Sequence, residues 1–552
     1  MLRIRGIKLK PGEPDCAIPL KIAKRCGLKK FGYEVSEWRI ASKSPDARDK
    51  EHIHFALCVD FSVKRIAGRA DAASLKKTES ASDIEANIIR RLCTRGGRVD
   101  IGAAPPVTTG FDAVTNFHSG RAERRAPAPI IAGFGPCGMF AALVLAAGGL
   151  APVVLERGKD VDERVLDVNR FFESGELDPE SNVQFGEGGA GTFSDGKLTT
   201  GIKNPRARAV LAEFARAGGG DNILYDGKPH IGTDALRSVV KNIRERIIAL
   251  GGTVLFGHRL DGLLTYGGAL RAVLVATPRG VAEMPAERLI LATGHSARDT
   301  FSMLRKAGLF MEPKPFSVGL RIEHPQRIID TAQYGERFAE IYGLSPRDAG
   351  LPPADYKLST ATRDGRGVYT FCMCPGGVVI PAASEPGCTV TNGMSEKARA
   401  GDMANSALLV DVRVSDFTTG GSLAGIEFQR AYERAAFISK AAPRSYAPPS
   451  ESLKDFMTGE SALAACLPLF AVSAIRESLP LFGNIIKGFD MPEARLYGVE
   501  TRSSSPIRVP RGQDMLSNIR GVYAGGEGAG KAGGIVSAAV DGVRIAETVL
   551  SL

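Results

Sequence analysis

The sequence has little of what a membrane protein or a disulfide-stabilised protein needs. No apolar run reaches the ~18–20 residues that span a bilayer, because the most apolar stretch, residues 139–155, is interrupted by glycines and a proline. Residues 1–15 alternate basic and apolar side chains and lack the apolar core of a signal peptide. The nine cysteines are odd in number and have no paired spacing, which argues against a disulfide framework. We therefore predict a cytoplasmic protein without a membrane segment.

Aromatic residues that alternate with basic ones are also missing, although the formal net charge is +10. Basic clusters occur at residues 21–30 and 121–125 and would attract nucleic acid, anionic lipid or a phosphorylated substrate. The charges are otherwise dispersed, and no platform for stacking bases is visible. We interpret the basic side chains as a solvated surface and expect neither a nucleic-acid nor a membrane partner.

A dinucleotide-binding pattern lies in residues 129–158, PIIAGFGPCGMFAALVLAAGGLAPVVLERG. It predicts a strand at 130–132, a helix from 139 to about 147 and a second strand at 153–155, which is a βαβ unit of about 30 residues. Gly133 would make the tight turn, Gly135 would let the backbone approach a pyrophosphate, and Gly138 would let the helix lie close to the strands. Glu156, about 20 residues further on, is placed to accept hydrogen bonds from an adenosine ribose.

Only one such fingerprint is present. The run Gly218-Gly219-Gly220 has neither the preceding strand nor the spacing of a second one. If NAD(P)H is an electron donor, it must therefore bind transiently, or another protein must supply the electrons. The sequence leaves both alternatives open.

A second glycine-rich stretch, SNVQFGEGGAGTFSDGKL, covers residues 181–198. Its glycines and small hydroxyl residues cannot pack a core, but close backbone approach to a flat ring or a phosphate would explain them. The alternative is an ordinary glycine-rich surface turn.

The first ~100 residues predict a small α+β domain. Apolar residues at 2, 4, 7 and 9 indicate a strand, residues 17–26 have helical spacing, and alternation at 53–59 indicates a half-buried strand. A second helix is expected after Ser82, with Ile84, Ile88, Ile89 and Leu92 on one side. This order favours a ferredoxin-like split βαβ fold. His52 and His54 would share a strand face, but no third ligand is near, so we predict no metal site.

The region after the fingerprint predicts a helix at 161–172 and a second one that Thr233 or Asp234 caps and that runs to about residue 250. Strands are then expected at 253–256, 259–265, 269–277 and 288–292. Three antiparallel strands inserted before a returning parallel strand indicate a flavin-type variant of the dinucleotide-binding fold.

Further motifs extend this pattern to the end of the chain. The fingerprint ending in Glu156-Arg157-Gly158, Ala292-Thr293-Gly294, and GVYAGGEG at 521–528 together resemble the FAD-binding domain of the glutathione-reductase-like superfamily. More narrowly, EGGAGTFSDGKL, FCMCPGG at 371–377, TNGMS at 391–395 and ETRSSSPIRVPR at 500–511 resemble the bacterial family of uncharacterised FAD-dependent dehydrogenases.

The resemblance implies an α/β protein with a discontinuous Rossmann-like three-layer domain that binds FAD. The expected boundaries are residues 1–102 for the N-terminal domain, 103–128 for a linker, 129–300 and 493–552 for the FAD-binding domain, and 301–492 for an inserted, loop-rich substrate or cap domain. The cofactor-binding residues that it implies are Gly133, Gly135, Pro136, Gly138, Glu156, Arg157, Gly188, Gly189, Thr192, Ser194, Lys197, Gly294, Gly526, Glu527, Gly533, Gly534 and Ile535. Glu527 departs from the superfamily, where Asp is common at this point.

Candidate catalytic groups lie in the expected cap domain. Cys372 and Cys374 are close enough in sequence to pass electrons or to form a strained disulfide, but on a strand they would share a face and would then simply pack. His295 and His324 are candidate acids or bases, although structural roles are the simpler interpretation. The start of the last helix would stabilise negative charge on a reduced flavin.

The function that we expect is hydride transfer through flavin N5 to or from an unknown small-molecule substrate, with FAD as cofactor and NAD(P)H as a candidate transient donor. Two alternatives are a flavin-dependent RNA-modifying enzyme and a non-enzymatic scaffold that FAD stabilises. The sequence does not indicate the substrate or the oligomeric state.

Overall fold

A computed structural model describes residues 1–66, 101–103, 111 and 127–552 of the 552-residue chain. The helix predicted after Ser82 and the basic cluster at 121–125 lie outside the described residues. The chain divides into two compact units. The N-terminal unit comprises residues 1–108, 221–229 and 330–354, and the main unit comprises residues 109–220, 230–329 and 355–552. Two segments from beyond residue 200 therefore belong to the N-terminal unit, which the expected boundaries did not include.

The strands, in chain order, are β1 (Leu2–Leu9), β2 (Tyr33–Asp46), β3 (His54–Arg65), β4 (Ile101–Ala103), β5 (Ile130–Ala132), β6 (Val153–Glu156), β7 (Thr253–Phe256), β8 (Arg259–Tyr266), β9 (Ala269–Thr277), β10 (Gly280–Pro285), β11 (Leu289–Leu291), β12 (Glu312–Pro313), β13 (Phe316–Pro325), β14 (Ser359–Ala361), β15 (Gly367–Cys374), β16 (Val378–Pro381), β17 (Thr391–Met394), β18 (Met403–Val412), β19 (Ser450–Ser452), β20 (Arg495–Glu500), β21 (Ile507–Arg508) and β22 (Val522–Ala524).

The α-helices of the described residues are α1 (Ile18–Cys26), α2 (Pro136–Ala147), α3 (Val161–Ser174), α4 (Arg206–Phe214), α5 (Thr233–Ala249), α6 (Arg298–Lys306), α7 (Gln326–Tyr334), α8 (Phe338–Tyr342), α9 (Ala424–Phe437), α10 (Leu453–Met457), α11 (Leu469–Ile485) and α12 (Ile535–Leu550). Within the described ranges, none of the helices is both long and apolar enough to cross a bilayer.

The N-terminal unit contains a four-stranded sheet in the order β2-β3-β1-β4, in which neighbouring strands are antiparallel. The alternation read from the sequence continues along β3, where Phe55, Leu57, Val59 and Phe61 are buried. Asp60 of β3 is also buried, and it accepts hydrogen bonds from Arg3 of β1 and Arg39 of β2. The strand order suits the split βαβ fold, which stays a prediction because its second helix lies outside the described residues.

The main unit has a five-stranded sheet in the order β22-β11-β5-β6-β7, and every neighbouring pair is parallel. The protein is thus a mixed α/β protein with a parallel sheet. The last strand of the chain, β22, pairs with β11, and α12 packs closely on α2, where a Cβ at Gly542 would lie 2.0 Å from the Cys137 carbonyl oxygen. The C-terminal segment therefore completes a sheet that begins almost 400 residues earlier, at Ile130.

One strand of the inserted antiparallel group was assigned wrongly. The strand at 253–256, β7, runs parallel to β6 and belongs to the five-stranded sheet. The third antiparallel strand is β10, which pairs with β9 in a sheet of order β10-β9-β8. The sequence did not reveal β10 because most of its side chains are exposed, so that it lacks the alternation that a half-buried strand shows.

The predicted side-chain cap of α5 is also wrong. Gly232 occupies the cap position, where a Cβ would lie 2.1 Å from the Lys397 amide nitrogen. The Thr233 hydroxyl donates to the Thr192 carbonyl oxygen at 2.7 Å, and the Asp234 carboxylate accepts from the Lys397 amide at 2.8 Å. The two side chains therefore connect the start of α5 to two other segments, one at Thr192 and one at Lys397. Local sequence cannot reveal such contacts.

The region expected to be loop-rich contains most of a six-stranded sheet in the order β14-β15-β18-β13-β20-β19. Its central strands β13 and β18 are buried on both faces, and such strands lack a polar face. Strand β20, at residues 495–500, pairs with β13 although it lies beyond the expected boundary at 492. This sheet carries the residues FCMC and Glu500, which the sequence motifs singled out.

Gly138 provides the first test of the fold. A Cβ at this position would lie 1.9 Å from the carbonyl oxygen of Gly133, so we expect Gly138→Ala to lower the free energy of unfolding by about 3 kcal/mol. Gly459→Ala is the matched control, because no described atom lies within 4 Å of the Cβ it would add. Denaturant unfolding of both variants measures the effect, and equal stability would contradict the close packing of α2 on the glycine turn.

Candidate functional site

A cavity of about 390 Å³ opens at the carboxyl ends of β5, β6, β11 and β22 in the main unit. In parallel sheets this edge is the usual place for ligands, and the volume is in the range of small-molecule sites. Most of the predicted site residues line the cavity: Gly133, Gly135, Pro136, Glu156, Arg157, Gly189, Ser194, Lys197, Gly294, Cys372, Gly526, Glu527, Gly533, Gly534 and Ile535.

Four predicted site residues do not line the cavity: Gly138, Gly188, Thr192 and Cys374. A Cβ at Gly188 would lie 2.1 Å from the Thr192 hydroxyl oxygen, and that hydroxyl donates to the Glu187 carbonyl oxygen. Gly188 and Thr192 thus support the wall of the cavity from behind, as Gly138 supports the glycine turn.

The Glu156 carboxylate holds three segments together. It accepts hydrogen bonds from the backbone amides of Phe134 at 2.8 Å, Gly158 at 2.9 Å and Gly186 at 2.9 Å. The side chain is buried yet lines the cavity. The two carboxylate oxygens offer about four lone-pair sites, so a ribose hydroxyl can still be accepted, and the predicted ribose contact stays a prediction.

Arg157 lies at the same rim of the cavity. Its guanidinium pairs with Asp299 at 2.9 and 3.0 Å and with Glu180 at 2.8 Å, and it stacks on the ring of Phe185 at 4.2 Å. These contacts fix the plane of the guanidinium at the position where the resemblance expects a contact with the adenosine ribose.

Sequence reasoning missed Arg164 of α3, which organises the second glycine-rich stretch. Its fully buried guanidinium donates to the carbonyl oxygens of Asn182, Val183, Glu187 and Gly189 at 2.6 to 3.0 Å. Burial lowers the pKa of Arg164 to about 10, so the group stays charged at neutral pH. An arginine within an amphipathic helix pattern gives no signal of such a role.

The cavity contains features that a dinucleotide requires. Gly135 and Gly189 approach so closely that a Cβ on Gly189 would lie 3.0 Å from the Gly135 Cα. Helices α2 and α12 both begin at the cavity, at Pro136 and Ile535, and no side chain in the described part of the chain caps either one. Uncapped helix starts leave amide hydrogens available to negative charge. The residues present therefore fit a pyrophosphate near α2 and an anionic ring edge near α12.

The loop before α12 is held by a pair that the sequence did not indicate. Asp541 is buried, accepts from the Gly526 amide at 2.8 Å and pairs with Arg511 at 2.5 and 2.9 Å.

Glu527 lines the cavity and lies 3.7 Å from Nδ1 of His295. His295 thus lies in the cavity wall, whereas His324 is buried elsewhere and bonds the Phe489 carbonyl oxygen at 2.7 Å.

A buried charge network lies next to the cavity. Glu433 is paired with Arg298 at 2.7 Å and with Arg502 at 2.9 Å, and these guanidinium groups lower the pKa of the Glu433 carboxyl even though burial opposes them. Arg502 lines the cavity.

Glu385, Cys388 and Glu433 come close enough to bind a metal ion, but the arginines already neutralise both carboxylates, so we do not consider this cluster a metal site.

The cavity is also lined by Cys372, Lys197 and Glu500. The Lys197 ammonium donates to the Met373 carbonyl oxygen, and its expected contact with the cofactor stays a prediction. Burial raises the pKa of Glu500 to about 7, although Arg321, at 3.2 Å, opposes this shift. Glu500 is therefore a carboxylic acid that titrates near neutral pH in the cavity wall.

Comparison with known proteins supports an FAD-dependent class. Residues 315–503 match the family model described as "FAD-dependent protein, C-terminal domain-like". An uncharacterized protein of Clostridium beijerinckii is 41% identical over 569 residues, which cover 100% of this chain and 98% of that protein. The chain therefore belongs to the same family as the Clostridium beijerinckii protein. The matched residues contain all six strands of the six-stranded sheet, including β20.

Similar solved structures are distant. A geranylgeranyl bacteriochlorophyll reductase-like protein from Thermoplasma acidophilum is 12% identical and covers 77% of this chain and 78% of its own, with a TM-score of 0.36. A glycerol-3-phosphate dehydrogenase from Bacillus halodurans, complexed with FAD, is 11% identical and covers 81% of this chain and 67% of its own, with a TM-score of 0.35. At these scores neither structure supports an inference about this chain.

Arg164 can be tested by Arg164→Met. Three buried carbonyl groups and the partly buried one of Gly189 would lose a charged donor, so we expect the free energy of unfolding to fall by about 3 kcal/mol. Arg170→Met on the same helix is the control, because the Arg170 side chain is 53% exposed. Chemical denaturation measures both, and a loss at Arg164 no larger than that at Arg170 would refute the role of the buried guanidinium.

The raised pKa of Glu500 predicts that the free energy of unfolding depends on pH. Its pKa of about 7 in the folded protein exceeds its ordinary value of 4.5, so between these values the folded chain retains a proton that the unfolded chain releases. Wild type should therefore lose about 2 to 3 kcal/mol relative to Glu500→Gln as the pH rises from about 5 to 8. Denaturation at both pH values measures this difference. The exposed control Glu493→Gln should show no such change, and a constant difference between wild type and Glu500→Gln would contradict the raised pKa.

Proposed function

We propose that the protein is an FAD-dependent oxidoreductase that transfers a hydride between flavin N5 and a small-molecule substrate. The observation that carries this proposal is the single cavity wall formed by the glycine turn after β5, the uncapped starts of α2 and α12, and the buried Glu156. The match of residues 315–503 to a domain of FAD-dependent proteins supports it.

The residues that would hold FAD follow from their places around the cavity. Gly135, Gly189 and the first turn of α2 would bind the pyrophosphate, and Glu156 with Arg157 would bind the adenosine ribose. Gly294, Gly526 and Glu527 would contact the ribityl chain, and Gly533, Gly534 and Ile535 would face the flavin carbonyl edge. On this proposal residues 129–300 and 493–552 supply most of the cofactor site, and residues 301–492 supply the cap.

When bound, FAD would supply the hydride acceptor or donor, and the chain's own residues would control protons and charge. Glu500 would accept or release a proton at the cavity wall near neutral pH, because burial raises its pKa to about 7. Arg502 is oriented by its hydrogen bond to Glu433 and would attract an anionic substrate group. The free amides at the start of α12 would stabilise the negative charge of a reduced ring.

The experiment that tests this function is the visible absorption spectrum of the purified protein, followed without oxygen as NADH or NADPH is added. A flavin band that bleaches supports the proposal and identifies NAD(P)H as a transient donor. A flavin band that persists shows that FAD is bound but is not reduced by NAD(P)H. The electron donor would then be another protein or the substrate itself. A colourless protein that cannot be reconstituted with FAD contradicts the proposal.

Gly135→Val tests the position of the cofactor. The backbone at Gly135 is extended, and the nearest described atom to an added Cβ is the Gly189 Cα at 3.8 Å, so valine fits the fold but fills the space expected for the pyrophosphate. We expect bound FAD per chain to fall by at least about tenfold while the unfolding midpoint changes little. Gly459→Val is the control, and undiminished flavin in Gly135→Val would place the cofactor elsewhere.

A further inference from the structure

We propose that Cys372 and Cys374 form a dithiol redox centre in the cavity wall, in which Cys372 attacks a small disulfide substrate and Cys374 resolves the mixed disulfide. The proposal rests on the proposed function for the electrons that restore the dithiol. It assigns the two thiols different roles and names a substrate class.

The backbone separates the two thiols in a way that a regular strand would not. The pairing of β15 with β18 shifts by one residue between Phe371 and Cys374, which is a β-bulge. Cys372 occupies this bulge with φ +44, a conformation that a residue with a Cβ seldom adopts and that often marks functional sites. Its side chain is half-buried and lines the cavity, whereas Cys374 is fully buried.

The bulge is held in place by Arg321 of β13, which is completely buried. Its guanidinium donates to the Cys372 carbonyl oxygen at 2.6 Å and lies 3.9 Å from the Cys374 sulfur. The Cys374 thiol also donates to the Cys372 carbonyl oxygen at 3.3 Å. The two cysteines are therefore neighbours fixed by shared contacts, and both are free thiols in the structure.

Two cations act on the Cys372 thiol, Lys197 and Arg321. The hydrogen bond from the Cys374 thiol, together with these cations, lowers the pKa of Cys372, while burial and Asp195 oppose the shift. Glu500 also interacts with Cys372, and burial raises the pKa of its carboxyl to about 7. The same interaction raises the pKa of Cys374, so that one thiolate and one thiol are present near neutral pH. A thiolate is the form that attacks disulfides.

Two other buried thiols of the described residues have raised rather than lowered pKa values. Burial raises the pKa of Cys388 to about 11 and that of Cys137 still further. Lys197 and Arg321 lower the pKa of Cys372, whereas burial dominates at Cys388 and Cys137.

The chemistry balances as two thiol–disulfide exchanges. The Cys372 thiolate attacks one sulfur of the substrate, a Cys372–substrate S–S bond forms, the substrate S–S bond breaks, and one thiol leaves after taking a proton. Cys374 then loses its proton and attacks the Cys372 sulfur, which closes an intramolecular disulfide and releases the second thiol. The substrate gains two electrons and two protons. Return to the dithiol takes two electrons and two protons, which the reduced flavin of the proposed function supplies.

The test uses the full-length purified protein, reduced, desalted and exposed without oxygen to hydroxyethyl disulfide. After acid quenching and alkylation, mass spectrometry of the peptide that carries both cysteines gives the state of each. We expect the intramolecular disulfide in wild type, a hydroxyethyl mixed disulfide on Cys372 in Cys374→Ser, and an unmodified Cys374 in Cys372→Ser. Cys388→Ser is the control and should behave as wild type.

A second measurement does not depend on any variant. As the pH falls below about 8, the alkylation rate of Cys372 in wild type should decrease less than that of N-acetylcysteine measured in the same buffers, because only the thiolate is alkylated. Parallel pH profiles for Cys372 and N-acetylcysteine would overturn the assignment of Cys372 as the attacking thiolate.

Flavin content, read from the visible spectrum of the same samples, separates the two proposals. A sample that retains FAD but forms no Cys372–Cys374 disulfide overturns the redox centre and leaves the proposed function standing. A sample that forms the disulfide but cannot bind FAD contradicts the proposed function and leaves the attacking and resolving roles standing.

Discussion

The cavity depends on two buried charges that satisfy the backbone of an irregular segment. Glu156 accepts from the amides of three segments, including Gly186, and Arg164 donates to four carbonyl oxygens between residues 182 and 189. A buried segment without helix or strand partners needs such groups, because an unpaired backbone amide or carbonyl is costly. A Cβ at Gly186 would lie 2.4 Å from Arg164, so the glycine and the arginine require each other.

A similar rule applies to the buried charge network next to the cavity, which joins α6, α9 and the segment after β20. Arg298, Glu433 and Arg502 are paired at no more than about 3 Å with almost no exposure. Such pairs add little net stability, but removing one partner leaves a buried charge and is costly. Their contribution is therefore positional: they hold Arg502 and the neighbouring Glu500 at the edge of the cavity. Ser296 and Ser384 accept further bonds from Arg502 and complete the arrangement.

Two wrong sequence predictions about strands have different physical reasons. Strand β7 was grouped with the antiparallel strands because strand direction is not encoded in a short apolar run. The six-stranded sheet was read as loops because its central strands are buried on both faces and show no alternation. The parallel sheet is confirmed, and residues 315–503 match a domain of FAD-dependent proteins, whereas the individual contacts to FAD remain predictions.

The sequence by itself determined the glycine turn and the βαβ unit, because the absence of a side chain and the period of apolar residues are local properties. It also indicated that the two ends of the α/β domain come from opposite ends of the chain. Only the tertiary structure decided which charges meet the glycines, since Arg164, Arg321 and Asp541 come from helices and strands with no local signal. It likewise decided that Cys372 and Cys374 differ, because a one-residue bulge depends on pairing with a distant strand and not on the spacing of the two residues.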